Sequence, residues 1–93
     1  MNIDKARKRI AKKVNKGFQG YPMININYFG PTDKLATKVI LEYIAEENGE
    51  VSQEPFNTET DIREDVTVQT TILKIIERSG AITVTLDDQI NSL

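Results

Sequence analysis

Seven cations crowd the first sixteen residues, Lys5, Arg7, Lys8, Arg9, Lys12, Lys13 and Lys16, and Asp4 alone opposes them. Cations recurring over about three helical turns can neutralise several phosphates or carboxylates of one partner, with an affinity that salt weakens. A second constellation is acidic. Between positions 41 and 65 there are nine carboxylates, running from Glu42 to Asp65, against Arg63 alone. The formal net charge of −2 therefore hides a chain that is basic at its start and acidic in its middle, and net charge by itself says little about partners.

Within the acidic stretch, Asp61, Glu64 and Asp65 are close enough in sequence for paired-carboxylate acid–base chemistry. Such pairs work when burial splits their pKa values. The competing reading is a solvated loop with a helix cap. A hard-cation site built from the same carboxylates lacks calcium-loop spacing. The chain has no His and no Cys. The usual general base near neutral pH, the Ser-His-Asp and Cys-His arrangements, and imidazole or thiolate metal sites are therefore out of reach. Neither GxGxxG nor GxxxxGK[ST] occurs, so no common glycine-rich phosphate cradle, and no cofactor, is implied.

The residues that carry the functional expectation are therefore Lys5, Lys8, Arg9, Lys12, Lys13 and Lys16, as a face for an acidic protein or a nucleic acid. The bland alternative is a solvated face, partly answered by the molecule's own acidic segment. The same polarity allows self-association, with the basic helix of one copy meeting the acidic segment of another. Tyr21, Tyr28 and Phe29 could stack on bases beside such a patch; the alternative is that they belong to the core. A membrane surface fits poorly, because the helix's apolar side offers Ile, Val and Ala without Trp or Phe.

The elements that must position these residues follow from periodicity. Ile3, Ala6, Ile10 and Val14 form one stripe, which predicts a helix from Asp4 to about Lys16 with a basic outer face. Gly17, Gly20 and Pro22 supply its stop. Alternation from Met23 to Phe29 predicts a strand with Ile24, Ile26 and Tyr28 inward, and Gly30-Pro31 supplies a turn. Residues 34–46 fit both a helix and a strand by period. A strand is preferred, paired with 23–29 as a hairpin, because a two-stranded sheet would be marginal. Residues 47–64 show no sustained period and read as a long acidic loop. Val66 to Ser79 reads as a helix capped by Asp65 and ended by Gly80. Ala81 to Asp87 alternates again, with Ile82, Val84 and Leu86 inward and Thr83 and Thr85 outward, followed by a short polar tail.

The segments Gly20-Tyr21-Pro22, Tyr28-Phe29-Gly30-Pro31-Thr32-Asp33 and Ala36-Thr37-Lys38-Val39, with Asp61-Ile62-Arg63-Glu64-Asp65 opening a helix, resemble a family of small uncharacterised bacterial proteins over most of the chain. The resemblance implies a strand over Lys38 to Ile44 and carries no chemistry. Members of that family continue past the position of Ile90 with a tail containing Cys and His that suggests metal binding. This chain stops at Leu93 without either residue type, so any such role is expected to be absent or different here.

The expectation is one α+β domain spanning 1–93. It has two layers, a three-stranded sheet with helices on one face, in the order α-β-β-α-β. Its 93 residues at 39% hydrophobic and 28% charged composition are ordinary globular proportions, so the chain should fold alone. No apolar run approaches the roughly 20 residues that span a bilayer, and no signal-peptide segment is seen. With the lack of cysteine, this points to a cytoplasmic protein. The functional expectation is a non-enzymatic binding module, with nucleic-acid binding and a carboxylate-based enzyme as alternatives.

Overall fold

The computed structural model describes residues 2–93, with Asp88 described by its backbone alone. It is an α+β structure. The elements are α1 (Ile3–Val14), β1 (Met23–Gly30), β2 (Lys38–Ile44), β3 (Val51–Asn57), a 3₁₀ turn (Ile62–Glu64), α2 (Val66–Ser79) and β4 (Thr83–Ser92). The four strands form one mixed sheet in the order β3-β2-β1-β4. β1 pairs antiparallel with β2 and parallel with β4, while β3 pairs antiparallel with β2.

Two expectations are corrected here. The sheet has four strands rather than three, and the order is α-β-β-β-α-β. The additional strand, β3, lies in the stretch read as a loop. It is an edge strand with every residue exposed except half-buried Phe56, so burial never imposed a period of two on its sequence. Pro55 sits in it opposite Ile40, and an edge strand tolerates the missing N–H. The helical crossover consequently leads from β3 to β4 across the whole sheet. The expected link from the 34–46 strand does not form, since β2 and β4 are neither neighbours nor parallel.

The strongest periodic segments fold as their patterns require. α2 runs from Val66 to Ser79, with the Asp65 carboxylate accepting from the Val68 N–H at 2.9 Å and Gly80 closing it at φ 73°. In α1 the stripe buries Ala6 and Ile10, and the N-cap is Asn2, whose side chain accepts from the Lys5 N–H at 2.9 Å. The helix ends at Val14, two residues before the expected Lys16. Alternation in β1 and β2 sends Ile24, Ile26, Tyr28, Val39 and Leu41 to one face. There they join Ile10 of α1, Ile72, Leu73 and Ile76 of α2, and Ile62 of the 3₁₀ turn in a single core. Both helices thus cover the same face.

The opposite face carries no helix and is knit by side chains. Glu42 accepts from Asn27 at 3.0 Å and from Gln53 at 3.2 Å, and Thr85 donates to Asn25. β4 also departs from its expected span. It continues to Ser92 through an irregularity between Leu86 and Ile90, where the polar tail was expected. Ile82 precedes the strand and is about half exposed, whereas Thr83 is fully buried. Thr83 can sit inside because its hydroxyl donates to the Gly20 carbonyl at 2.7 Å and accepts from the Gln19 N–H at 2.8 Å, which offsets the cost of burying a polar group.

Candidate functional site

Helical spacing distributes the cations of α1 around its exposed side. Lys5, Arg9 and Lys12, at i, i+4 and i+7, form one exposed stripe along the helix. Lys8 and Arg7 lie on one flank, and half-buried Lys13 with Lys16 just past the helix end lies on the other. Two ion pairs occur among the described residues, Arg7 with Glu64 and Arg63 with Asp61. None of the six expected site residues takes part in either. α1 packs against α2 and β4, at the β4 side of the sheet. The acidic residues Glu46, Glu47, Glu50 and Glu54 belong to the β2–β3 hairpin, at the other edge. The hairpin part of the acidic segment is therefore separated in space from α1, whereas Glu64, from its later part, reaches Arg7.

Each flank of α1 borders a cleft. One, of about 400 Å³, is lined by Lys13, Lys16, Gln19 and Ile82 among others. Close in sequence to it stands Phe18, 64% exposed, with its ring meeting Tyr21 edge-on at 5.6 Å between centroids. The other, of about 420 Å³, lies between α1, α2 and β4, and Arg7, Lys8, Tyr28, Arg63, Gln69 and Asp87 contribute its polar lining. Sequence spacing brings Lys8 to the second and Lys13 and Lys16 to the first. Lys5, Arg9 and Lys12 line neither cleft.

Tyr28, weighed as a base-stacking residue, is placed otherwise. It is buried on the core face of β1, and its hydroxyl accepts from Gln69 Nε2 at 3.0 Å. Burial pushes its phenol above the ordinary value, against the hydrogen bond from Gln69 and the charges of Arg7 and Arg63. It is a neutral hydroxyl at physiological pH. Gln69 went unnoticed in the sequence although its position carried a signal. It precedes Ile72, Leu73 and Ile76 by three, four and seven residues and so falls on the buried stripe of α2, where a polar side chain must find partners.

The three neighbouring carboxylates are each committed elsewhere. Asp61 accepts from Arg63 Nε at 2.8 Å and from the Arg63 N–H at 3.0 Å, and those bonds hold its carboxyl below the ordinary carboxylate range. Glu64 pairs with Arg7 at 2.8 Å on the surface, and Asp65 caps α2. A catalytic acid needs its pKa raised rather than lowered, so the arrangement gives acid–base chemistry no support. Among the described residues, no three carboxylates are grouped to hold a metal ion, and no helix is long and apolar enough to cross a membrane.

No family model, curated protein or solved structure matches this chain.

Proposed function

We propose that the protein is a non-enzymatic binding module that presents the outer face of α1, with Lys5, Lys8, Arg9, Lys12, Lys13 and Lys16, to an acidic partner in the cytoplasm. The observation that carries this reading is that these six cations are unpaired among the described residues, while the acidic hairpin lies at the far edge of the sheet. A monomer that answered its own charges would leave no such face. The test is size-exclusion chromatography with light scattering at low and high salt, with and without nucleic acid. Acidic polypeptide added at low salt should co-elute with the protein and dissociate as salt rises. The Lys5, Arg9, Lys12 triple-alanine variant should lose the complex. Retention of the complex by that variant refutes the assignment.

A second reading, a nucleic-acid contact, is favoured by exposed Phe18 near the Lys13 and Lys16 flank, since an aromatic beside cations can stack on a base. It requires retention on a single strand or duplex with a steep inverse dependence on salt. Charge-driven self-association would appear in the same series as a mass that falls as salt rises.

A further inference from the structure

We propose that the cleft between α1, α2 and β4 is a binding site for a small monocarboxylate with an apolar body. The site is distinct from the outer face of α1. Its lining shows which end is deep: Ile10, Tyr28 and Gln69 are buried, whereas Arg7, Lys8 and Asp87 are exposed. Its volume of about 420 Å³ is at the small-ligand end of the range for binding pockets.

The deep end has an uncommitted donor. Gln69 Nε2 donates both to the Tyr28 hydroxyl oxygen at 3.0 Å and to the Ile62 carbonyl at 3.1 Å. Both amide hydrogens are spent, the amide is fixed in orientation, and the phenol oxygen is already an acceptor. The phenol's own hydrogen has no acceptor among the described residues. Buried hydroxyls of this kind are ordinarily satisfied, and a ligand oxygen in the cleft would satisfy this one. Burial keeps the phenol protonated, so it can act only as a donor there.

The charge pattern selects an anion of modest charge. Among the described residues, three cations, Arg7, Lys8 and Arg63, line the cleft against the carboxylate of Asp87. Two of them are already partly answered from outside it, Arg7 by Glu64 and Arg63 by Asp61. Both pairs are partly exposed to solvent and cancel only part of each cation, so between zero and two positive charges remain, a balance that suits a singly charged carboxylate better than a phosphate dianion, which would also face Asp87. Ile10, Ala11 and Leu86 complete the walls, so burial of an aliphatic or aromatic body adds affinity that a bare oxyanion forgoes. The carboxylate would sit against the Tyr28 hydroxyl with the guanidinium groups beside it, a charge-assisted arrangement.

The test is an NMR titration of the full chain labelled with nitrogen-15, at constant ionic strength, with 3-phenylpropionate, succinate and inorganic phosphate in turn. 3-Phenylpropionate should move the Gln69 side-chain amide and the backbone amides of Tyr28 and Leu86 saturably, and bind more tightly than the other two. Tyr28→Phe should weaken it about tenfold, the loss of one hydrogen bond to a charged group. Arg7→Gln, at an exposed position, should weaken it several-fold and serves if Tyr28→Phe does not fold. The Lys5, Arg9, Lys12 triple-alanine variant should bind it as before, which separates this site from the outer face of α1. The assignment is overturned if no saturable shift appears by about 10 mM, if phosphate binds as tightly, or if the shifts fall on the outer lysines alone. Unchanged affinity in Arg7→Gln or Tyr28→Phe also overturns it.

Discussion

The side chain of Gln69 in α2 donates to the hydroxyl of Tyr28 in β1 at 3.0 Å, tying helix to sheet across 41 positions of chain. Its second hydrogen goes to the Ile62 carbonyl, so one amide ties α2 to both β1 and the 3₁₀ turn at the deep end of the cleft. Gln69→Leu would keep the apolar stripe but leave the Ile62 carbonyl and the Tyr28 hydroxyl without their donor. The expected cost is about 2–3 kcal/mol, set by the desolvation penalty of the stranded groups. Tyr28→Phe strands less and should cost about 1 kcal/mol. Urea unfolding checks both, and a smaller loss for Gln69→Leu than for Tyr28→Phe would show that the network does not hold the elements together.

What the sequence made legible follows from burial. Elements with one face in the core, such as α2 and β1, are forced to show period, and their limits could be read to within a residue. β3 pairs through its backbone and buries almost nothing, so its residues from Val51 to Pro55 were free to be polar and left no pattern. Thr83 keeps the side opposite Val84 that alternation gives it but is buried there, because Gln19 and Gly20 supply two backbone partners for its hydroxyl. The basic face was legible because helical spacing alone places Lys5, Arg9 and Lys12 together. The cleft was not, because Tyr28, Gln69 and Arg63 come from three separate segments that only the tertiary fold brings together.

Gly30 and Gly17 are both needed, for different reasons. A methyl group on Gly30 would overlap the carbonyl oxygen of Leu35, in the turn where the Thr37 N–H returns to the Phe29 carbonyl at 2.9 Å. Backbone cannot move aside as a side-chain tip can, so Gly30→Ala should cost about 3 kcal/mol or more. Gly17 has φ 71° and open space around it. Gly17→Ala should cost about 1 kcal/mol, the left-handed penalty alone, and Gly17→Asn less. Thermal unfolding of the three variants checks the order. Equal losses for the two alanine variants would show that space is not what restricts Gly30.

The Asp61–Arg63 contact sets a pH dependence. Hydrogen bonds from Arg63 depress the Asp61 pKa in the folded state below an unfolded value of about 3.9. A depressed carboxyl contributes stability that is complete above the unfolded value and is lost as pH falls through the folded one. Asp61→Asn keeps an oxygen for the Arg63 N–H but not the charge. It should cost about 1 kcal/mol at neutral pH, given that the Arg63 side chain is 35% exposed and partly screened. The gap between variant and parent should close as pH drops below about 4. Urea midpoints measured at pH 7, 5 and 3 test this, and a gap that widens at pH 3 contradicts it.

Glu64 separates stability from recognition. Its ion pair with Arg7 spans 2.8 Å, but the two side chains are 64% and 49% exposed, so solvent screens it and Glu64→Gln should change stability by less than about 1 kcal/mol. The same substitution removes the carboxylate that, among the described residues, answers Arg7, which borders both the cleft and the cationic face of α1. Release of that guanidinium should tighten 3-phenylpropionate binding and move the dissociation of an acidic polypeptide to higher salt, since one more cation is available to the partner. If the thermal midpoint falls steeply while neither affinity changes, Glu64 holds the 3₁₀ turn against α1, and Arg7 belongs to the scaffold rather than to the binding surface.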